Sequence, residues 1–263
     1  MAKNNSIKKG VEKIIIANWK MQLDLKDSLI LAKKMKSKFA KFKKGKVVIC
    51  PDLVSLRDVG AILKGSNVKL GAQNVFWEEK GPYTGEISPR TLKDIGCEYV
   101  IIGHSERRKN VAENYEMIYK KTKAVLNTDG LTPIVCIGEN WDERKTDRRD
   151  FVLAEQLQQA LGGLEIFDNQ RIIVAYEPIW AIGSGTAMEP QEADYAHKII
   201  KLTLNNMFGM QILNKNFKVI YGGSVSSKNV KDFNSENIDG LLVGGASLNA
   251  EEFYKVADII TSK

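Results

Sequence analysis

The stretch Lys13-Ile14-Ile15-Ile16-Ala17-Asn18-Trp19-Lys20 decides between two folds. It is a short β-branched run that closes on an amide and an amine. A first strand of an open, doubly wound sheet usually runs into a glycine-rich phosphate loop, GxGxxG or a P-loop. Neither follows here, and the later Gly183-Ser184-Gly185 has Met188 where a third glycine would stand. Similar runs recur, giving expected strands at 13–18, 46–50, 68–73, 99–103, 132–137, 171–177, 217–221 and 239–243. Each is nearly continuous in Val, Ile or Leu, as parallel strands buried on both faces require. Helical stretches lie between them. The first carries Leu25, Leu29, Ala32, Met35, Phe39 and Phe42 as one apolar stripe, with Asp24 as expected N-cap and Gly45 as expected stop. Others are expected at 112–127, 142–161, 191–207 and 250–261, with shorter ones at 56–64, 89–95 and 228–233. Eight β-then-α cycles in 263 residues predict an α/β chain closed into a single eight-stranded barrel.

Composition narrows the class. With 43% hydrophobic and 27% charged residues, a wholly disordered chain is excluded. Lys and Arg number 39 against 32 Asp and Glu, so the +7 balance brings nucleic acid and membrane surfaces into question. No apolar run is long enough to span a bilayer, and Met1 to Gly10 contain no apolar core of a secretory signal. The expectation is a basic lead-in over 1–12 and one catalytic barrel over 13–263. Cys50, Cys97 and Cys136 are widely spaced and odd in number, which points to reduced thiols and a cytoplasmic setting. Two histidines make a His-rich metal site an unsuitable reading. Lysines 33, 34, 36, 38, 41, 43, 44 and 46 are the best case for nucleic-acid binding. They interleave with the apolar stripe as a solvated helix face does, without aromatic stacking partners, so no nucleic-acid partner is expected.

In a barrel the loops after the strands share one face, and the site sits there. The strand ends supply Asn18 and Lys20, then Gly103-His104-Ser105-Glu106-Arg107-Arg108, then Glu177-Pro178, Gly222-Gly223-Ser224 and Gly244-Gly245-Ala246-Ser247. The glycines of the last two strand ends either make tight turns or bring backbone N–H groups close to a phosphate; both pairs together with Ser224 favour phosphate. Glu177 ends an apolar strand, where poor solvation would raise its pKa and suit it to accept a proton; an ion pair is the alternative. His104 precedes a helix start whose positive end disfavours imidazolium, although taken alone the residue reads better as a satisfied buried histidine. Lys20 is either a charge for a developing oxyanion or one more surface lysine, and Asn18 either a donor or a turn residue. The segment 180–186, apolar then glycine-rich, suits a lid over a small anion.

Taken in order, these residues resemble the triosephosphate isomerase family along essentially the whole chain. The resembling motifs are Asn18-Trp19-Lys20-Met21, Gly103 to Arg108, Ala175-Tyr176-Glu177-Pro178-Ile179-Trp180-Ala181-Ile182-Gly183, Tyr221-Gly222-Gly223-Ser224-Val225 and Leu242-Val243-Gly244-Gly245-Ala246-Ser247-Leu248. The resemblance implies a TIM barrel that interconverts dihydroxyacetone phosphate and D-glyceraldehyde 3-phosphate through an enediolate, without cofactor or metal. It implies Glu177 as the base, a neutral His104 moving protons between the substrate oxygens, Lys20 as charge and Asn18 as donor. Glu106 and Ser105 would support this group, and Gly183, Ser224, Gly244 and Gly245 would hold the phosphate. It also implies a homodimer through the loop Gln73-Asn74-Val75-Phe76-Trp77-Glu78-Glu79-Lys80-Gly81-Pro82-Tyr83-Thr84-Gly85-Glu86, whose Thr84 would touch the partner's site. Ala17 and Gln22 depart from the family pattern, as does Thr186-Ala187-Met188 in place of the lid's usual Lys-Thr-Ala. A Schiff-base aldolase is the competing enzyme reading; it needs an interior lysine on a later strand, and the sixth strand offers Glu177 instead.

Overall fold

A computed structural model describes residues 12–182 and 188–262. Its strands are β1 (Ile14–Asn18), β2 (Lys46–Cys50), β3 (Val68–Ala72), β4 (Cys97–Ile102), β5 (Thr132–Ile137), β6 (Ile172–Tyr176), β7 (Phe217–Tyr221) and β8 (Gly240–Val243). The helices are α1 (Leu25–Lys38), α2 (Leu53–Leu63), α3 (Pro89–Asp94), α4 (Ser105–Asn110), α5 (Tyr115–Leu126), α6 (Trp141–Lys145), α7 (Arg149–Leu161), α8 (Pro190–Phe208), α9 (Met210–Asn216) and α10 (Ala250–Thr261). Every strand pairs in parallel with the next, and β1 closes on β8 with Ile14 opposite Gly240. The closed α/β barrel expected from the apolar runs is therefore the observed fold.

Two-residue periodicity separates an inside from an outside. Ile14, Ile16, Val48, Tyr99, Ile101, Ile134, Ile173, Ala175, Ile220 and Leu242 form a buried cluster to which no helix contributes. That cluster is the barrel interior, and the alternate strand residues pack beneath the helices. The helix ring closes where α10 meets the end of α1, with the Phe39 and Phe253 rings 5.7 Å apart. Each such fully buried side chain contributes about 1.5–3 kcal/mol.

Helix ends differ from the sequence expectation for local reasons. Asp24 caps α1 by accepting from the Asp27 N–H, as expected, but the helix stops at Lys38 rather than near Gly45. The expected helix over 142–161 divides at Asp147, a non-glycine residue at φ +53°, into α6 and α7. Ala112, at φ +52°, likewise separates α4 from α5. A left-handed residue cannot continue a right-handed helix. Gly209, at φ +83°, ends α8 and permits α9, which the sequence reading leaves out.

Candidate active site

The C-terminal ends of the strands surround a cavity of about 420 Å³. Asn18, Lys20, His104, Glu177, Ser224, Gly244 and Gly245 all line it. Seven of the expected site residues are thus brought together from five strand ends.

Lys20 reaches the cavity through a strained backbone. Its φ is +54°, a conformation that costs a residue with a Cβ on the order of 1–3 kcal/mol. Neighbouring side chains hold it there. Asn18 Oδ1 accepts from the Lys20 N–H at 3.2 Å. The Gln73 amide donates to the carbonyls of Lys20 at 2.9 Å and Cys50 at 3.0 Å. The ammonium then pairs with Glu106 Oε1 at 2.6 Å and lies beside Gly244, where a Cβ would come within 3.8 Å of Nζ. Lys20 therefore stands between the β4 cluster and the glycine loop after β8.

His104 is the N-cap of α4. Gly103, at φ +72°, makes the turn that brings it there. Nδ1 accepts from the Glu106 N–H at 3.2 Å, so that nitrogen carries no proton in this geometry. The proton then lies on Nε2, 3.0 Å from Glu177 Oε1. The Ser105 N–H donates to the other carboxylate oxygen, Oε2, at 3.1 Å. Ser105 thus contacts Glu177, and Glu106 contacts both His104 and Lys20.

Electrostatics at this pair depart from the sequence expectation. Burial pushes the Glu177 carboxyl up, but His104, the Ser105 N–H and Arg108 together carry it below its ordinary value. Burial pushes the His104 ring down, yet the adjacent Glu177 carboxylate carries it above its ordinary value. The apolar strand and helix end considered alone give the opposite directions. The mutual hydrogen bond reverses both, because each group stabilises the charged form of the other.

Three residues behind this group receive no role in the site from the sequence. Glu139, wholly buried after β5, accepts from Tyr176 Oη at 3.1 Å and Trp180 Nε1 at 2.9 Å. It thereby fixes the chain on either side of Glu177. Asn229 holds the loop after β7: its Oδ1 accepts from the Ser226 N–H at 2.8 Å and its Nδ2 donates to the Ser224 carbonyl at 3.2 Å. Gln73 is described above. Each is a single polar residue without a motif of its own, so only the spacing to an adjoining motif could have flagged it. Ser224 Oγ donates to the Ala181 carbonyl at 2.9 Å and joins this loop to the segment after Glu177.

One expected site residue is not brought in, and another lies outside the described residues. Thr84 is exposed and lies outside the cavity of its own chain. Gly183 and most of the expected lid fall outside the described residues. Several lysines of the nucleic-acid reading are engaged locally. Lys38 pairs with Glu251, Lys44 with Asp258, and Lys36 donates to the Ile62 and Lys64 carbonyls. Among the described residues no helix is long and apolar enough to cross a membrane.

A family model described as triosephosphate isomerase matches residues 13–260. The chain belongs to the triosephosphate isomerase family. It is 43% identical over 245 residues to the triosephosphate isomerase of Dictyoglomus thermophilum, covering 93% of this chain and 98% of that one. It is 46% identical over 244 residues to that of Dehalococcoides mccartyi strain CBDB1, covering 92% and 94%. The crystal structure of triosephosphate isomerase from Bartonella henselae superimposes with a TM-score of 0.83 at 32% identity, covering 95% of this chain and 99% of the other. The sequence motifs that carry the resemblance fall on the strand ends that line the cavity.

Proposed function

We propose that the chain is an isomerase that interconverts dihydroxyacetone phosphate and D-glyceraldehyde 3-phosphate, with Glu177 moving the proton between adjacent carbons. The observation that carries this reading is the Glu177–His104 contact at 3.0 Å inside a cavity that Lys20 and two glycine loops also face. In the free site the base and the imidazole hold each other. A substrate enters between them: its carbonyl oxygen takes the Nε2–H of His104, and its C–H faces the carboxylate. Glu177 then gives up the His104 and Ser105 donors, leaving burial opposed only by the more weakly acting Arg108. Its basicity rises at the step where it accepts the proton. His104 loses the carboxylate that raised its pKa and serves as a neutral donor, because Glu106 N–H already occupies Nδ1. The proton returns from Glu177 to the neighbouring carbon, and His104 exchanges protons with the two enediolate oxygens.

Lys20 supplies positive charge both to the enediolate and toward the phosphate. Asn18 donates through the amide nitrogen that its bond to the Lys20 N–H leaves available. Ser224, Gly244, Gly245 and, outside the described residues, Gly183 hold the phosphate. Glu106 orients Lys20, and Ser105 orients Glu177. The catalytic unit is one barrel from residue 13 onward, preceded by a basic lead-in, and requires no nucleic-acid partner.

The active form is a homodimer through the loop 73–86. Support comes from apolar side chains after two consecutive strands, β1 and β2: Met21 is 93% exposed, Val54 79% and Leu53 54%. Phe76, stacked on Trp77 at 3.9 Å, stiffens the loop that carries Thr84. In a dimer, Thr84 meets the partner's site rather than its own. A cytoplasmic setting is supported by the three cysteines, all buried and free. The deciding experiment is a coupled assay on both triose phosphates with the wild type and Glu177→Gln. Turnover in both directions, lost in the variant, is expected; equal turnover by the two overturns the assignment of the base.

A further inference from the structure

We infer that Gln156, on the outer helix α7, is a positioning residue for the base. The inference rests on the reading of Glu177 given above. Its starting point is a bookkeeping problem in backbone hydrogen bonds just past β5. The Glu177 N–H donates to Ile137 O at 2.7 Å, and the Ile179 N–H donates to Glu139 O at 3.0 Å. The N–H and C=O of Gly138 lie between these two bonds and take no part in them. Gly138 is buried, so its N–H and C=O need partners other than water.

Gln156 supplies both. Its Oε1 accepts from the Gly138 N–H at 2.8 Å, and its Nε2 donates to the Gly138 carbonyl at 3.0 Å. One side-chain amide thus completes the ladder as a further strand residue would. Gln156 is itself only 4% exposed, so water does not compete for these bonds. The same Oε1 receives Arg108 Nη1 at 3.3 Å, and that nitrogen also contacts Tyr115 Oη at 3.3 Å. Arg108 follows His104 in α4, so Gln156 ties the β5 end to the helix that carries the imidazole.

Gly138 is also the surface against which Glu177 rests. A Cβ on Gly138 would lie 1.7 Å from the Glu177 carbonyl oxygen and 3.3 Å from its Cα. No slack separates the two backbones. A shift of Gly138 displaces Glu177 directly, and a 1 Å misplacement of a reacting group costs about 100-fold in rate. Gln156 does not itself line the cavity. Its removal should therefore act on the chemical step and leave phosphate recognition alone.

The test compares Gln156→Leu with Gln156→Glu, each measured per folded enzyme. Gln156→Leu loses both bonds to Gly138, and kcat should fall about 10- to 100-fold, while KM and the inhibition constant of inorganic phosphate stay within about twofold. Gln156→Glu keeps the acceptor for Gly138 N–H and Arg108, so its kcat should lie between the wild type and Gln156→Leu. If Gln156→Leu fails to fold, the Glu variant alone still carries the split between kcat and KM. A lowered melting temperature with unchanged kcat in both variants would make Gln156 merely structural and overturn the inference. So would a rise in KM and in the phosphate constant with kcat intact. A double-mutant cycle separates this inference from the reading beneath it. In a Glu177→Gln background, Gln156→Leu should cause little further loss; a full additional loss would show that Gln156 does not act through Glu177. Full activity of Glu177→Gln alone would instead overturn the base itself.

Discussion

Consecutive residues at the end of β6 hold the two histidines of the chain in opposite states. Glu177 contacts His104 through Nε2 at 3.0 Å, and Tyr176 packs edge-on against the His197 ring at 5.7 Å between centroids. His104 accepts at Nδ1 from the Glu106 N–H, whereas His197 donates from Nδ1 to the Ala193 carbonyl at 2.7 Å. Both rings are buried. Burial lowers the pKa of each, yet the neighbouring carboxylate carries His104 above its ordinary value, while His197 is pushed down to about 4. Burial alone therefore does not make a histidine functional. A second ionisable group within hydrogen-bond reach and an opening to a cavity distinguish the ring proposed to work from the packed one.

The sharpest way to break this comparison is to remove the carboxylate. Glu177→Gln should lower kcat by at least about 10²–10⁴, the range for a general base, in a coupled assay. It should also lower the His104 pKa, because the charge that raises it is gone. The chain has only two histidines, so the two ring titrations can be followed separately by NMR. An unshifted His104 in that variant would show that some other group sets its state. Lys20→Ala comes next. It removes the charge facing the same cluster and should cost about 3–4 kcal/mol in kcat/KM, as the loss of one oxyanion donor does. Glu106, 2.6 Å from Nζ in the wild type, loses its partner as well. Unchanged kinetics in a folded variant would remove Lys20 from the site.

How legible this contrast was in the sequence depends on what each residue's neighbours are. The strands were readable because eight apolar runs leave few folds open, and the barrel then sends every strand end to one face. Glu177, His104 and Lys20 became candidates through that topology, and the resemblance supplied the roles proposed for them. The direction of the pKa shifts did not follow, because it is fixed by a 3.0 Å contact between residues 73 positions apart in the chain. Gln156 was hidden for a related reason. A glutamine in a helix reads as surface until its amide is seen to complete the Gly138 backbone. The division of the helices was hidden too, because Ala112 and Asp147 carry no signal for a left-handed conformation comparable to glycine.

His197 provides a smaller and opposite test. Its folded pKa of about 4 lies below the ordinary value of 6.5 for an unfolded chain. The unfolded state therefore binds the proton first as the pH falls. The contribution of His197 to stability is complete above about pH 6.5 and is lost between there and about pH 4, to the extent of about 3 kcal/mol. The linkage at His104 has the other sign, because its folded pKa is raised: its contribution is present below the unfolded value and is lost as pH rises through the folded one. His197→Phe should flatten the acid side of the stability profile measured by denaturant titration at several pH values, and should leave kcat unchanged. A fall in kcat with the wild-type acid slope retained would reverse the assignment of roles between the two rings.

The smallest expected effect asks whether the +7 net charge tunes either ring. Lys44 and Asp258 form an exposed pair at 2.6 Å on the outer helix layer. Lys44→Gln should change stability by less than about 1 kcal/mol, as surface pairs do. It should move neither histidine titration at physiological salt, because exposed charges are screened beyond about 8 Å. A measurable shift of His104 in this variant would mean that the distributed charge sets its state, and the Glu177 contact would lose its explanatory role. An unmoved titration, set beside a large shift in Glu177→Gln, would assign the difference between the two histidines to the single hydrogen bond at the end of β6.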